Sequence, residues 1–128
     1  SRYFKQFTKG RYFRVESVMG EERLQIVDSF DKFKDAPSML SRGTAEQLFL
    51  AMRFALIDEY SRNSEPMPVV LDDVMVNFDP ERAQATCEGI IDLSSRHQVI
   101  LLTCNPETVR RIQVASEPLD KRPTVIEI

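Results

Sequence analysis

Residues 68–79, Pro68-Val69-Val70-Leu71-Asp72-Asp73-Val74-Met75-Val76-Asn77-Phe78-Asp79, decide how this chain folds. Val69, Val70 and Leu71 make a short apolar run that ends in two acids. Such a run after a proline suits a strand buried on both faces, as in a parallel sheet. Working outward, residues 80–96 read as a helix with Pro80 in its first turn and Ala83, Cys87, Ile90 and Ile91 inward. Gln98-Val-Ile-Leu-Leu-Thr103 reads as a second buried strand, 106–115 as a helix and 125–128 as a closing strand. Upstream, residues 44–62 read as a long helix. Leu48, Met52, Ala55, Leu56 and Glu59 share one face of it, with Phe49 and Tyr60 beside them. From residue 44 onward helices and strands alternate, which predicts an α/β layer with a mostly parallel sheet flanked by helices. Functional groups in such sheets gather at the carboxyl ends of the strands. Asp72 and Asp73 lie at one such end, and Thr103, Cys104 and Asn105 at the next.

The first part of the chain has a different character. Arg2, Lys5, Lys9, Arg11 and Arg14 precede the first acid, Glu16, and Tyr3, Phe4 and Phe7 have near-helical spacing. A short helix ending near Gly10 follows from that spacing. Residues 12–18 and 23–30 read as a β-hairpin turning at 19–22, and 35–38 as a loop. The basic start suits either a helix end whose aromatics pack on the first sheet or a contact with a DNA backbone.

Composition narrows the classes. Hydrophobic residues make up 42% and charged ones 29% of 128 residues, which excludes global disorder and allows a single core. The net charge of −3 confines any nucleic-acid contact to a local patch. Cys87 and Cys104 form no CxxC pair and, with the single His97, no metal-ligand cluster. They read as reduced thiols of a cytoplasmic protein, and His97 as a surface or loop residue. No stretch has the length and apolarity of a membrane span, and the basic aromatic start is unlike a signal peptide.

Two constellations carry chemistry. The first is Asp72-Asp73. One acid suits Mg²⁺, which takes a few carboxylates together with phosphate oxygens. Its neighbour lies on the other side of the pleat and suits orienting or deprotonating a water. A pair of solvated acids opening a loop reads equally well from these residues alone. The second is Leu40-Ser41-Arg42-Gly43-Thr44-Ala45-Glu46-Gln47 at the start of the long helix. Free N–H groups and the positive dipole end make a helix N-terminus an anion site, and Gly43 lets a phosphate approach the backbone. Ordinary capping by Ser41, or by Thr44 with Gln47, accounts for the hydroxyls at about 1 kcal/mol. It does not require Gly43.

In this order and spacing the motifs resemble a known family. LSRGTAEQ (40–47) resembles the ABC signature motif in its SMC-like form, L-S-x-G-x-x-x-Q. PVVLDDVMVNFD (68–79) resembles a Walker B strand followed by a D-loop, and QVILLT (98–103) the strand before the switch loop. The chain is similar to the YhaN-like bacterial ATPases and their SbcC-type relatives over nearly its whole length. The resemblance implies the C-terminal half of a P-loop NTPase head of the ABC/SMC type. Residues 1–12 would be the end of a coiled coil, 13–38 a β-hairpin and loop, and 39–128 the signature helix, Walker B strand, D-loop and switch region.

The resemblance also implies roles. Asp72 would support Mg²⁺, and Asp73 would polarise the attacking water where a glutamate usually stands. Ser41, Arg42, Gly43 and Gln47 would meet ATP held by the opposite subunit. Asn77, Phe78 and Asp79 would cross the dimer interface. Asn105 stands where a switch histidine is expected and can donate a hydrogen bond, but cannot titrate as histidine does. No G-x-x-x-x-G-K-[ST] occurs in the chain, so the phosphate cradle must come from elsewhere. The expected cofactors are ATP and Mg²⁺. The expected partners are the N-terminal Walker A lobe of the same protein and a second head, with a nuclease subunit and DNA as further candidates and no membrane. The implied activity is ATP hydrolysis in DNA repair, nuclease control or chromosome maintenance, with this piece inactive by itself. A non-hydrolysing switch lobe is the alternative. Arg42 and the N-F-D run argue against a membrane transporter.

Overall fold

Tyr3, Phe4 and Phe7 project from one side of α1 (Arg2–Phe7), and all three are buried. They define the first of two units, Ser1–Asn63 and Ser64–Ile128, of a computed structural model that describes residues 1–30, 32–36, 38–120 and 122–128. The Tyr3 and Phe7 rings meet Phe54 edge-on, with centroids 5.4 and 5.7 Å away. Phe4 stacks on Tyr12 at 5.5 Å. Such ring pairs add about 0.5–1.5 kcal/mol each beyond the area they bury. The Tyr3 hydroxyl donates to Asp58 at 2.6 Å, so the buried ring keeps a polar partner. The aromatic start thus packs chiefly on the long helix.

Beyond Gly10, whose φ of +81° turns the chain, lie β1 (Tyr12–Ser17), β2 (Leu24–Asp28) and β3 (Phe33–Ala36). They form an antiparallel sheet in the order β1-β2-β3, Tyr12 opposite Asp28 and Leu24 opposite Ala36. The expected hairpin therefore gains a third strand. Its cause is Asp28, a buried carboxylate that accepts the N–H groups of Phe30 (2.9 Å) and Lys32 (3.1 Å) and so builds a second tight turn. Asp35 and Ala36, expected in a loop, belong to β3; Pro37 of that loop lies outside the described residues.

The long helix α2 spans Arg42–Ser61 and begins two positions before the expected start, because Ser41 caps it. Thr44, Gln47, Leu48, Leu50, Ala51 and Phe54 are its buried residues. The inward face is thus rotated from the expected one, and Leu56 is 68% exposed. The rings of α1 fix this choice by converging on Phe54.

In the second unit β4 (Val69–Asp72) pairs in parallel with β5 (Val99–Leu102), Val69 opposite Val99 and Asp72 opposite Leu102. The crossover is α3 (Pro80–Ser94), as parallel pairing demands. The last helix, α4 (Pro106–Ser116), packs on α3 and ends in a 3₁₀ turn at Glu117–Leu119. Val69, Leu71, Met75, Cys87, Ile90 and Leu93 form the core. β4 was expected to be buried on both faces. Instead its residues alternate, with Val69 and Leu71 buried and Val70 60% exposed. The expected strand at 125–128 is absent, and Ile126 is 80% exposed. His97, expected as a surface or loop residue, lies in the loop between α3 and β5 and is buried there.

Candidate functional site

The carboxyl ends of β4 and β5 bring together the acid pair and the segment Thr103–Asn105. Asp72 is the last residue of β4, exposed and level with Leu102. Asp73 leaves the strand with φ +43°, left-handed backbone that a non-glycine residue adopts at a cost of about 1–2 kcal/mol. Contacts from β5 hold it there. Its N–H donates to the Leu102 carbonyl at 2.9 Å. Its Oδ1 accepts the Thr103 hydroxyl at 2.8 Å, and its Oδ2 the Cys104 thiol at 3.3 Å. These two hydrogen bonds, Thr103 first, hold the Asp73 carboxyl below its ordinary pKa. The same contact, reinforced by the carboxylate's charge, pushes the Cys104 thiol up.

A cleft of about 170 Å³ opens here, lined among others by Asp73, Val76, Leu101, Thr103, Asn105 and Thr108. Asn105 caps α4, its Oδ1 accepting the Glu107 N–H at 3.0 Å, so its NH₂ is the edge it can offer to an anion. The sequence set Thr103, Cys104 and Asn105 together at this strand end but assigned no role to Thr103 and no contact between Cys104 and Asp73. The available signal was a hydroxyl at the carboxyl end of the neighbouring parallel strand.

After Asp73 the chain makes a tight turn closed by Val76 N–H to Asp73 O and Phe78 N–H to Met75 O. Asn77 is exposed and Phe78 half-buried. Asp79 is the N-cap of α3: it accepts the Arg82 N–H at 2.9 Å and pairs with the Arg82 guanidinium. The Arg82 N–H is the main reason its carboxyl stays below the ordinary range. Arg111 of α4, paired with Glu107, donates to the Pro80 carbonyl at 3.1 Å and ties α4 to the start of α3.

The first unit holds the other constellation. Ser41 is exposed, and its Oγ accepts the Thr44 N–H at 3.4 Å and lies 2.8 Å from the Thr44 hydroxyl. Gly43 is partly exposed in the first turn of α2. Arg42 projects outward, with an i,i+4 pair to Glu46 at 3.1 Å. Gln47, which the resemblance sets among the contacts to ATP of the opposite subunit, faces inward instead. It is 1% exposed, and its Nε2 donates to the Phe7 carbonyl at 2.8 Å. It satisfies a carbonyl at the end of α1, which would otherwise lack a partner.

Among the described residues no three His, Cys, Asp or Glu side chains converge as a metal cluster. Mg²⁺ asks for less, one or two carboxylates with water and phosphate oxygens as the remaining ligands. The exposed Asp72 fits that share and no more. Both cysteines are free thiols, Cys87 buried and Cys104 exposed. No helix among the described residues is long and apolar enough to cross a membrane.

No protein-family model matches the chain. In sequence, 104 residues are 32% identical to the protein YhaN of Bacillus subtilis, covering 80% of this chain and 11% of that one. This chain therefore spans about a tenth of the curated relative it matches. In structure it superposes on the SMC head domain of Pyrococcus furiosus, which carries an extended coiled coil and is bound to the C-terminal domain of ScpA. That match has a TM-score of 0.63 and 15% identity over 88% of this chain and 29% of the other. It also superposes on an SMC ATPase solved to describe ATP-driven dimerisation and DNA-stimulated activation. There the TM-score is 0.64 and the identity 17% over 91% of this chain and 71% of the other. The acid-ended parallel pair, the serine-capped helix and these likenesses agree: the chain has the α/β fold of an SMC-type head domain and resembles the C-terminal lobe of such a head, of the YhaN-like kind.

Proposed function

We propose that this chain is the half of a dimerising SMC-like ATPase head that senses and hydrolyses ATP held by the N-terminal Walker A lobe of the same protein. The observation that carries the reading is Asp73, a carboxylate fixed at the carboxyl end of a parallel pair by donors from the segment that follows the neighbouring strand. That is where an α/β sheet presents its chemistry. Mg²⁺, when bound, neutralises charge on the phosphate oxygens, and Asp72 is the carboxylate that would hold it. Asp73, ionised and oriented, accepts a hydrogen bond from the attacking water and aims it at the γ-phosphorus. The Asn105 NH₂ donates to a γ-phosphate oxygen. Ser41 and Gly43, with the first N–H groups of α2, meet the γ-phosphate bound by the opposite head, and Arg42 lends charge at that rim. Asn77, Phe78 and Asp79 line the head-to-head contact.

Several features support the partners. The chain has no phosphate-binding glycine-rich loop, so the Walker A lobe must supply it. The exposed apolar face of the parallel pair, with Val70, Ile100 and Leu102, suits cover by that lobe. Residues 1–12 would continue from a coiled coil. Work in DNA repair, nuclease control or chromosome maintenance, in the cytoplasm with DNA or a nuclease subunit, follows from the likeness to SMC heads and SbcC-type proteins. A second reading, a switch lobe that does not hydrolyse, draws on the fact that both Asp73 oxygens are already engaged. In the full-length protein Asp73→Asn is expected to lower ATP turnover by about 100-fold or more while ATP binding persists. Turnover unchanged by the substitution would remove Asp73 from the hydrolytic role, and a full-length protein that binds ATP without measurable turnover would leave the switch.

A further inference from the structure

The carboxylate of Asp73 belongs to a directed chain of hydrogen bonds. The Asn105 N–H donates to the Thr103 oxygen at 3.1 Å, and the Thr103 hydroxyl lies 2.8 Å from Asp73 Oδ1. The polarity is not a matter of choice. A backbone N–H can only donate and an ionised carboxylate can only accept, so the single hydroxyl proton of Thr103 points at Asp73. The threonine oxygen therefore cannot relax without changing both ends. Cys104 makes the other contact, but a thiol at 3.3 Å is the weaker donor. Thr103 is also β-branched, which restricts its χ1, and it follows directly on β5, so its backbone is anchored by the strand.

We propose that Thr103 is the positioning residue of Asp73: its hydroxyl carries the conformation of the segment that opens α4 to the carboxylate that addresses the attacking water. The proposal rests on the hydrolytic role of Asp73 given above. A shift of Asn105 on meeting a phosphate moves its N–H, rotates the Thr103 hydroxyl and re-aims Oδ1. The left-handed backbone of Asp73 supports this division of labour, because the residue is held in an unfavourable conformation by contacts from β5.

Steady-state ATP hydrolysis by the full-length protein tests the idea through four variants, Thr103→Val, Thr103→Ser, Asp73→Asn and the Thr103→Val/Asp73→Asn double variant. Valine keeps the shape and removes the hydroxyl. It is expected to lower kcat by about 10- to 100-fold, the scale of a misplaced catalytic group, with the KM for ATP within about twofold, because ground-state binding is untouched. Serine restores the hydroxyl and is expected to return kcat to within about threefold of the parent, whereas a residue needed only for packing would not be rescued in this way. In the double variant, valine should cost nothing beyond Asp73→Asn, since the two act as a unit. Wild-type kcat in Thr103→Val, equal losses for valine and serine, or additive losses in the double variant overturn the proposal while a collapsed Asp73→Asn leaves the hydrolytic reading intact. An unaffected Asp73→Asn removes the hydrolytic role of Asp73 and the proposal together. Should Thr103→Val fold poorly, Thr103→Ala carries the same expectation against the serine control.

Discussion

At the level of single residues, the two cysteines are opposite cases of suppressed reactivity. Cys104 is exposed, yet the hydrogen bond it gives to Asp73 and that residue's negative charge both favour the protonated thiol. A raised thiol pKa leaves less thiolate at a given pH, so alkylation of Cys104 by iodoacetamide at pH 8 is expected to be slower than that of free cysteine. Asp73→Asn removes the charge, lowers the thiol pKa and should speed labelling, moving the pH midpoint of the rate downward. A rate indifferent to Asp73→Asn would show that the contact is not made in solution. Cys87 is a different case: burial pushes its thiol up to about 11, and it should label only on unfolding. The residue pattern already argued against a reactive thiol, since no base lies beside Cys104 in sequence. The acid that suppresses it sits thirty-one positions away, across a strand pairing that residue spacing alone does not specify. Asn105 was singled out by its place after the strand and by the resemblance, whereas its capping of α4 through the Glu107 N–H emerges only from the structure.

At the level of elements, α2 separates two jobs that its sequence motif runs together. Ser41 stands outside the helix and caps it, whereas Gln47, in the second turn, turns inward to the Phe7 carbonyl. Losing the cap through Ser41→Ala should cost about 1 kcal/mol. Gln47→Leu should cost about 1–3 kcal/mol, since it leaves a buried carbonyl unsatisfied. The two substitutions should separate further when ATP-dependent dimerisation is measured. Ser41→Ala should impair it well beyond its small effect on urea denaturation, while Gln47→Leu should impair it only as far as folding is lost. Dimerisation that survives Ser41→Ala unchanged would leave Ser41 a cap and nothing more. The extent of α2 was readable from capping and breaker residues, but its inward face was not. Leu48, Phe49, Leu50, Met52, Phe54, Leu56 and Ile57 ring the helix so fully that periodicity cannot choose a side. The three aromatic residues of α1 make the choice. β3 was hidden for a comparable reason: Asp35 and Ala36 stand before a proline and a serine in sequence and so read as a loop, and only the buried Asp28 explains why the strand returns.

For the molecule as a whole, the parallel pair β4/β5 poses the physical problem that remains. Parallel sheets are stable when both faces are covered and more than two strands take part. Here one face packs inward through Val69 and Leu71, while Val70, Ile100 and Leu102 are 60%, 42% and 45% exposed. The apolar run in the sequence led to an expectation of two-sided burial, whereas the strand is covered on one face only, because apolarity does not by itself say which face has a neighbour. Order and spacing made the head-like architecture legible because each motif sits at an element end, where sequence speaks through caps and breakers. What covers the outer face is not encoded in these residues beyond their apolarity. On this argument the isolated chain should hydrolyse no ATP and should self-associate or bind a hydrophobic dye as concentration rises. Paired substitution of Val70 and Ile100 by lysine should suppress both behaviours, and so should addition of the Walker A lobe in trans, which should bring ATP hydrolysis with it. A chain that stays monomeric and dye-silent at high concentration would mean that this face needs no partner. The lobe would then have to join the sheet elsewhere, for instance along the strand edges, and Val70→Lys would leave turnover in the reconstituted head untouched.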